Sequence, residues 1–241
     1  MKKINFGCVG KIKLNSYHPL CKNDFGRNAI KGFGFHPFVD GSCRREPDFE
    51  NLYPSITGLC RQNSFAPKLW PNDIVIYMSL DSEGNSTSKY SLVAILKVIE
   101  RFETHFNAYQ WYRDNDLKTP NNCMVEGNPP IPFEMTVSTY TSQKDITRFK
   151  KYALDKQKAM GERIVNKWND EYQIKSEKWP TFIVTKPFFN AVYEDLKPPI
   201  IEHKDFVRIM GRVPNTRTPN NLSVSELIGF CNLAGIKPLI K

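Results

Sequence analysis

Paired metal-binding spacings are missing from this chain: its six cysteines, Cys8, Cys21, Cys43, Cys60, Cys123 and Cys231, form no CxxC. That argues against a zinc ribbon and a dense disulfide framework, and it fits buried or incidental thiols in a reducing cytosol. His18, His36, His105 and His203 make neither HxxxH nor HExxH, so no bound metal and no cofactor are expected. Long apolar runs are also lacking. The longest, residues 74–78 and 92–96, are the size of strands, which excludes a transmembrane span. The first six residues carry the positive charge of a signal peptide, but Lys11 and Lys13 break the apolar stretch, so a cytoplasmic protein is expected. There is no GxxxxGK[ST] phosphate loop, no GxGxxG behind a strand and no GxSxG elbow. The glycine-rich residues 31–35 lack the helix N-terminus that would hold phosphate, and they read as a flexible lead into a strand.

What remains is an ordinary globular composition over 241 residues, enough for one large domain or two small ones with a proper core. The formal net charge is +9, from 34 basic and 25 acidic residues. A basic excess favours polyanionic partners, nucleic acid first, although the charge is spread through folded-looking sequence and fits a solvated surface as well.

Residues 1–65, rich in Gly, Asn, Pro and Phe, read as loops and short strands. Residues 73–79 and 90–100 read as β-branched and aromatic strands about a polar loop at 80–89. Asn72 supplies the positive φ that the turn before them requires. Thr104 caps a short helix at 106–113, and the prolines of residues 121–132 impose a rigid, non-helical loop. Residues 142–145 offer a capping arrangement for the longest helix, through Ile146, Phe149, Ala153, Ile164 and Trp168, with a bend or split at Gly161. Its outer face carries Lys144, Lys150, Lys151, Lys156 and Lys158, a pattern that usually means solvation. Another strand covers 179–185, a basic turn covers 211–219, and a last helix runs from Ser223 or Ser225 to Gly235.

Several residue groups could carry chemistry. Arg44 and Arg45, beside Asp40, Ser42 and Glu46, form a constrained loop in which arginine forks suit phosphate or base-edge contact. Equally, they could pair with Glu46, Asp48 or Glu50 and pin the loop. His36 could act as a general acid or base, or be a hydrogen-bonded core residue. Tyr77 could stack on a base or pack in the core. In the 121–132 loop, Asn122 and Asn128 could read a base edge and Glu126 could accept from an exocyclic amine. Arg212 and Arg217, with Thr216 and Thr218, could clamp phosphates or form a plain surface turn.

Residues 67–111 resemble the small β-barrels of the PUA-like superfamily, which includes the EVE, YTH and ASCH domains. These often carry Gly-Asp, a hydrophobic strand ending in Tyr, a polar loop and a second hydrophobic strand; here Asn72-Asp73 stands where Gly-Asp is usual. Residues 36–50 and 121–132 also resemble the nucleotide modification associated families, thought to accompany DNA hypermodification and restriction systems of bacteria and phages. The resemblance implies a barrel that takes a modified base into an aromatic or polar pocket. No cage residue is carried over to Trp70, Trp111, Trp168 or Trp179, because those segments do not align residue by residue.

Together these readings give one compact α+β domain over residues 1–241: a small PUA-like mixed β-barrel at about 30–140 with flanking helices, then a helical elaboration at about 141–241. The expected function is recognition of a modified nucleobase in DNA or RNA, with no membrane partner and in a modification, restriction or defence setting. Tyr77, Asn122, Glu126 and Asn128 are the expected base contacts; Ser42, Arg44, Arg45, Arg212 and Arg217 are the expected phosphate contacts. The alternative is an enzyme acting on a nucleoside or nucleobase, a hydrolase or base-modifying activity, with His36, Asp40 and Glu126 as acid and base and their convergence in one cleft as its signature. A protein-binding accessory module would show no affinity for nucleic acid.

Overall fold

A computed structural model describes residues 1–81, 89–137 and 143–240. Its centre is β4 (Ile74–Asp81) and β5 (Lys89–Phe102), an antiparallel pair with Ile76 opposite Ile95 and Tyr77 opposite Ala94. Asn72 takes φ 77° in the turn before β4, the left-handed conformation that Asn tolerates best among residues with a side chain. β2 (Ile12–Tyr17) pairs parallel to β4, and β6 (Phe182–Asn190) pairs antiparallel to β5. β3 (Ser55–Thr57), β8 (Asn220–Leu222) and β7 (Ile200–Ile201) complete a seven-stranded mixed sheet in the order β3-β6-β5-β4-β2-β8, with β7 on β5. Register shifts at Tyr77/Met78, Ile95/Leu96 and Val98/Glu100 bend the strands. The result is a curled half-barrel with flanking helices, an α+β fold. A separate parallel pair joins β1 (Lys2–Gly7) to β9 (Ile236–Ile240).

The period-two alternation of β4 sends its side chains into two cores. Ile74, Ile76 and Met78 pack with Phe206 and Met210 of α6 (His203–Met210) and with Leu227 and Phe230 of α7 (Val224–Leu233). Val75 and Tyr77 face Tyr17, Phe49, Ile56 and Phe65 on the other side. α3 (His105–Asp114) starts at its Thr104 cap, whose hydroxyl accepts from the Asn107 N–H at 3.1 Å, and Ala108 and Tyr112 bury it against Phe182. α7 starts at Ser223 through a capping box with Glu226.

Three readings of the sequence are corrected. Residues 31–35 lead into no strand: Lys31 to Phe33 close α1 (Asp24–Phe33), and Gly34 takes the left-handed cap at φ 69°. The long helical segment does not split at Gly161. α4 (Gln143–Phe149) and α5 (Leu154–Lys178) are separated by residues 150–153, and Gly161 lies inside α5, where an added Cβ would meet the Phe133 ring at 3.1 Å. The sheet also draws strands from 12–17, 182–190 and 220–222, well outside residues 30–140. The polar loop reading at 82–88 and the capping reading at Ser142 lie outside the described residues.

Candidate functional site

Residues 40–57 have little regular structure, and three buried carboxyls organise them. Asp40 Oδ1 accepts from the Ser42 N–H at 2.9 Å, the Ser42 hydroxyl at 2.5 Å and the Glu46 N–H at 3.0 Å. Glu46 accepts from the Thr57 N–H at 2.9 Å, the Thr57 hydroxyl at 2.7 Å and the Asn122 amide at 2.8 Å. Asp48 accepts from the Glu50 and Asn121 N–H groups and from the Asn51 side chain. Each carboxyl thereby satisfies backbone donors that no strand or helix would otherwise take. Burial pushes Asp40 and Asp48 up to about 6 and Glu46 up to about 8, against the pull of these hydrogen bonds.

Thr57 passes this order on. Its hydroxyl accepts from the Leu59 N–H and caps α2 (Gly58–Arg61), which carries Cys60 and Arg61 beside the acidic loop. Opposite stands α5, whose buried face runs through Val165, Trp168 and Tyr172 at helical spacing. Between them opens a cleft of about 690 Å³, lined among others by His18, Lys22, Asp40, Cys60, Arg61 and Arg217. A narrow recess of about 10 Å³, room for about one water, continues from the same Ser16, Tyr17, Glu46, Cys60 and Arg61 to Asn15, Phe65 and Tyr77.

The electrostatics of the cleft are divided. Asp40 and Glu46 are 8% and 4% exposed and form its floor, whereas Lys22 is half-buried and Arg217 exposed. Neither the Lys22 ammonium nor the Arg217 guanidinium has a hydrogen-bond or ion-pair partner among the described residues. Arg61 donates to the Ser16 carbonyl at 2.9 Å and to the Arg217 carbonyl, tying α2 to the 216–217 turn. Burial, with the charges of Lys22 and Arg61, lowers His18 to about 4, so its ring is neutral at pH 7. Solvent reaches Cys60; enclosure by the cleft walls and the Asp40 and Glu46 carboxyls push its thiol up to about 11, leaving it protonated.

Of the residues singled out from the sequence, Asp40, Ser42 and Arg217 line the cleft, and Tyr77 lines its recess amid Tyr17, Phe49 and Phe65. Arg44 and Arg45 are buried inside the protein. Arg44 donates to Asn169 Oδ1 at 2.8 Å and to the Asn128 carbonyl at 2.8 Å; Arg45 donates to the Asp40 and Met135 carbonyls and pairs with Glu50 at 3.3 Å. Asn122 is fully buried, joined to Glu46 and to the Ser55 hydroxyl. Glu126 and Asn128 line a separate depression beside Arg44, with the Asn128 amide donating to the Pro120 and Cys123 carbonyls. Arg212 pairs with Glu226 at 3.6 Å, and the His36 ring meets the Leu196 carbonyl at 3.1 Å. His36, Asp40 and Glu126 therefore do not converge: Asp40 alone of the three lines the cleft.

Sequence reasoning missed His18, Lys22, Glu46 as an organiser, Cys60 and Arg61. None stands in a recognisable spacing, and the only signal was the density of acids and arginines in residues 40–50. Among the described residues, no cluster of three or more His, Cys, Asp or Glu is placed to hold a metal, and no helix is long and apolar enough to cross a membrane. No family model, no curated protein and no solved structure matches the chain.

Proposed function

We propose that this protein recognises a base of DNA or RNA, modified in its natural target, by taking it into the cleft between the 40–57 loop, α2 and α5, as part of a nucleic-acid modification, restriction or defence system. The carrying observation is the pairing of this half-open cleft with two cations, Lys22 and Arg217, that line it without a hydrogen-bond or ion-pair partner among the described residues. Its volume of about 690 Å³ falls in the range of small-molecule sites. A phosphate would meet the two cations, and extrusion of the base, a cost on the order of a few kcal/mol, would be returned by contacts inside. The net charge of +9 adds attraction that weakens with salt. The curled mixed sheet supports a PUA-like reading of the domain.

The test is binding to single- and double-stranded DNA and RNA, with and without modified bases, across a salt series. Lys22→Ala with Arg217→Ala is expected to weaken binding and to reduce the log–log salt slope by about 1–2. A slope equal to that of the wild type would remove the cleft from the phosphate path.

A second reading, an enzyme acting on a nucleoside or nucleobase, draws on Asp40, whose Oδ2 takes no hydrogen bond among the described residues. Asp40 would then be a general base, and turnover would rise as pH passes about 6, where it ionises. Nucleosides and nucleotides left intact across that range would exclude this reading.

A further inference from the structure

Outside the cleft, a buried guanidinium lacks a counter-charge. Arg44 is 3% exposed, yet all its hydrogen bonds run to neutral acceptors. Nε donates to Asn169 Oδ1 at 2.8 Å, and Nη1 donates to the Asn128 carbonyl at 2.8 Å and the Asn121 carbonyl at 3.4 Å. Among the described residues no carboxylate pairs with it, whereas Arg45, just as deeply buried, has Glu50 at 3.3 Å. Buried charges are ordinarily paired, because the hydration they lose exceeds what neutral hydrogen bonds restore. Burial accordingly lowers the pKa of Arg44 from the ordinary arginine value.

The unfilled position opens to solvent. Nη2 takes no hydrogen bond among the described residues and is not enclosed by the protein. Arg44 lines a depression of about 370 Å³ between the 121–132 loop and α5, with Met124, Glu126, Asn128, Pro130 and Asn169 among its walls. The Asn128 amide is committed to the Pro120 and Cys123 carbonyls. Asn169, whose Oδ1 accepts from Arg44 Nε, keeps its side-chain NH₂ uncommitted among the described residues. Glu126 is exposed on the rim and makes no ion pair with Arg44. The depression thus presents one immobilised cation beside an amide donor, the complement of an oxyanion.

We infer that this depression is a second binding site, distinct from the cleft, which takes the phosphate or carboxylate group of a small ligand as the counter-ion of Arg44. The inference does not depend on the cleft being a base pocket, where Lys22 and Arg217 are the phosphate contacts. Its volume is within the range of small-molecule sites. An oxyanion gains a charge-assisted hydrogen bond from a guanidinium that Asn128 and Asn169 already hold, so little side-chain ordering opposes binding. Glu126 repels an anion from the rim, which weakens the site without filling it.

The experiment is an NMR titration of the isotope-labelled full chain with sodium phosphate and with sodium acetate at constant ionic strength. The parent protein carries Lys22→Ala and Arg217→Ala, which silence the cations of the cleft. The Arg44 Nε–H and Asn169 side-chain amide signals are expected to move saturably with at least one anion, and the arm that moves them tells a phosphoryl from a carboxyl ligand. Asn169→Asp keeps the acceptor for Nε and supplies the missing charge from within, so the movement at Arg44 is expected to be lost. Glu126→Gln is expected to tighten binding about two- to five-fold, the effect of one exposed charge. No saturable movement at Arg44 with either anion, or undiminished movement in Asn169→Asp, would overturn the inference. Neither result bears on the base pocket, which oligonucleotide binding by the wild type tests separately. If Asn169→Asp fails to fold, Glu126→Gln decides: binding no tighter than in the parent would overturn the site.

Discussion

Glu46 joins the acidic loop to α2 and to Asn122 through one carboxyl, and its protonation state is coupled to folding. Burial pushes it up to about 8, whereas an unfolded glutamate ionises near about 4.3. The folded protein therefore holds a proton that the unfolded chain has released, and this stabilisation, complete at low pH, is lost as pH climbs to about 8. Asp40 and Asp48, raised to about 6, act in the same sense up to that pH. His18 and His105, lowered to about 4, oppose them, because the unfolded chain takes up protons below about 6.5 that the folded rings refuse. Among these groups only Glu46 still differs between folded and unfolded chains above that point. Thermal stability is expected to fall between about pH 6.5 and 8, by up to about 1.4 kcal/mol per pH unit. Glu46→Gln, which keeps an uncharged group there, is expected to flatten the profile in a melting series. A wild-type melting temperature that holds level or rises over this range would show that Glu46 is already ionised when folded. At this scale the sequence was half legible. Asp40, Ser42 and Arg217 stood out as polar residues in loops, and of the two readings of Arg44 and Arg45 the loop-pinning one holds for Arg45, which pairs with Glu50 at 3.3 Å. Their burial is decided largely by partners distant in sequence, the Asn128 carbonyl and Asn169 for Arg44 and the Met135 carbonyl for Arg45.

At the scale of elements, α2 is the short piece that presents Cys60 and Arg61, and Gly58 sets how close it lies to the end of α5. A Cβ at Gly58 would stand 2.6 Å from the Trp179 carbonyl oxygen, a backbone atom that cannot swing aside. Gly58→Ala is expected to cost about 1–3 kcal/mol in denaturant unfolding and to weaken nucleotide binding by displacing Arg61. Stability within a few tenths of a kcal/mol of wild type would mean that α2 moves freely against α5. Elements with strong local signals were legible: β4, β5, α3 and α7 follow from β-branched runs, from Thr104 and from the Ser223–Glu226 box. α1 was not, because its Gly26 and Gly32 mimic loop composition. Gly26 is there for proximity, since a Cβ would fall 1.7 Å from the Leu20 carbonyl oxygen.

For the molecule as a whole, one sheet is the shared wall of two cores. Ile76 is buried on the face covered by α6 and α7, and Ile56 on the face covered by the aromatic residues around Tyr77. Truncating either to Ala is expected to cost about 2–5 kcal/mol, and both are expected to lower one common transition, because neither face can open without the sheet. Circular dichroism and tryptophan fluorescence should give coincident melting curves in each variant; separate midpoints would mean that the two cores unfold independently.

By itself the sequence determined the α+β class, the central antiparallel pair, the Asn72 turn and the caps of α3 and α7, because each depends on residues adjacent in the chain. The tertiary structure alone decided the order of the sheet and the site. Strands from 12–17, 182–190 and 220–222 join residues 74–102 through pairing that no local pattern encodes. Likewise Lys22, Asp40, Cys60, Tyr172 and Arg217 become one cleft only when the curled sheet and α5 bring them together. Burial then gives their charges and lone pairs the character that composition left open.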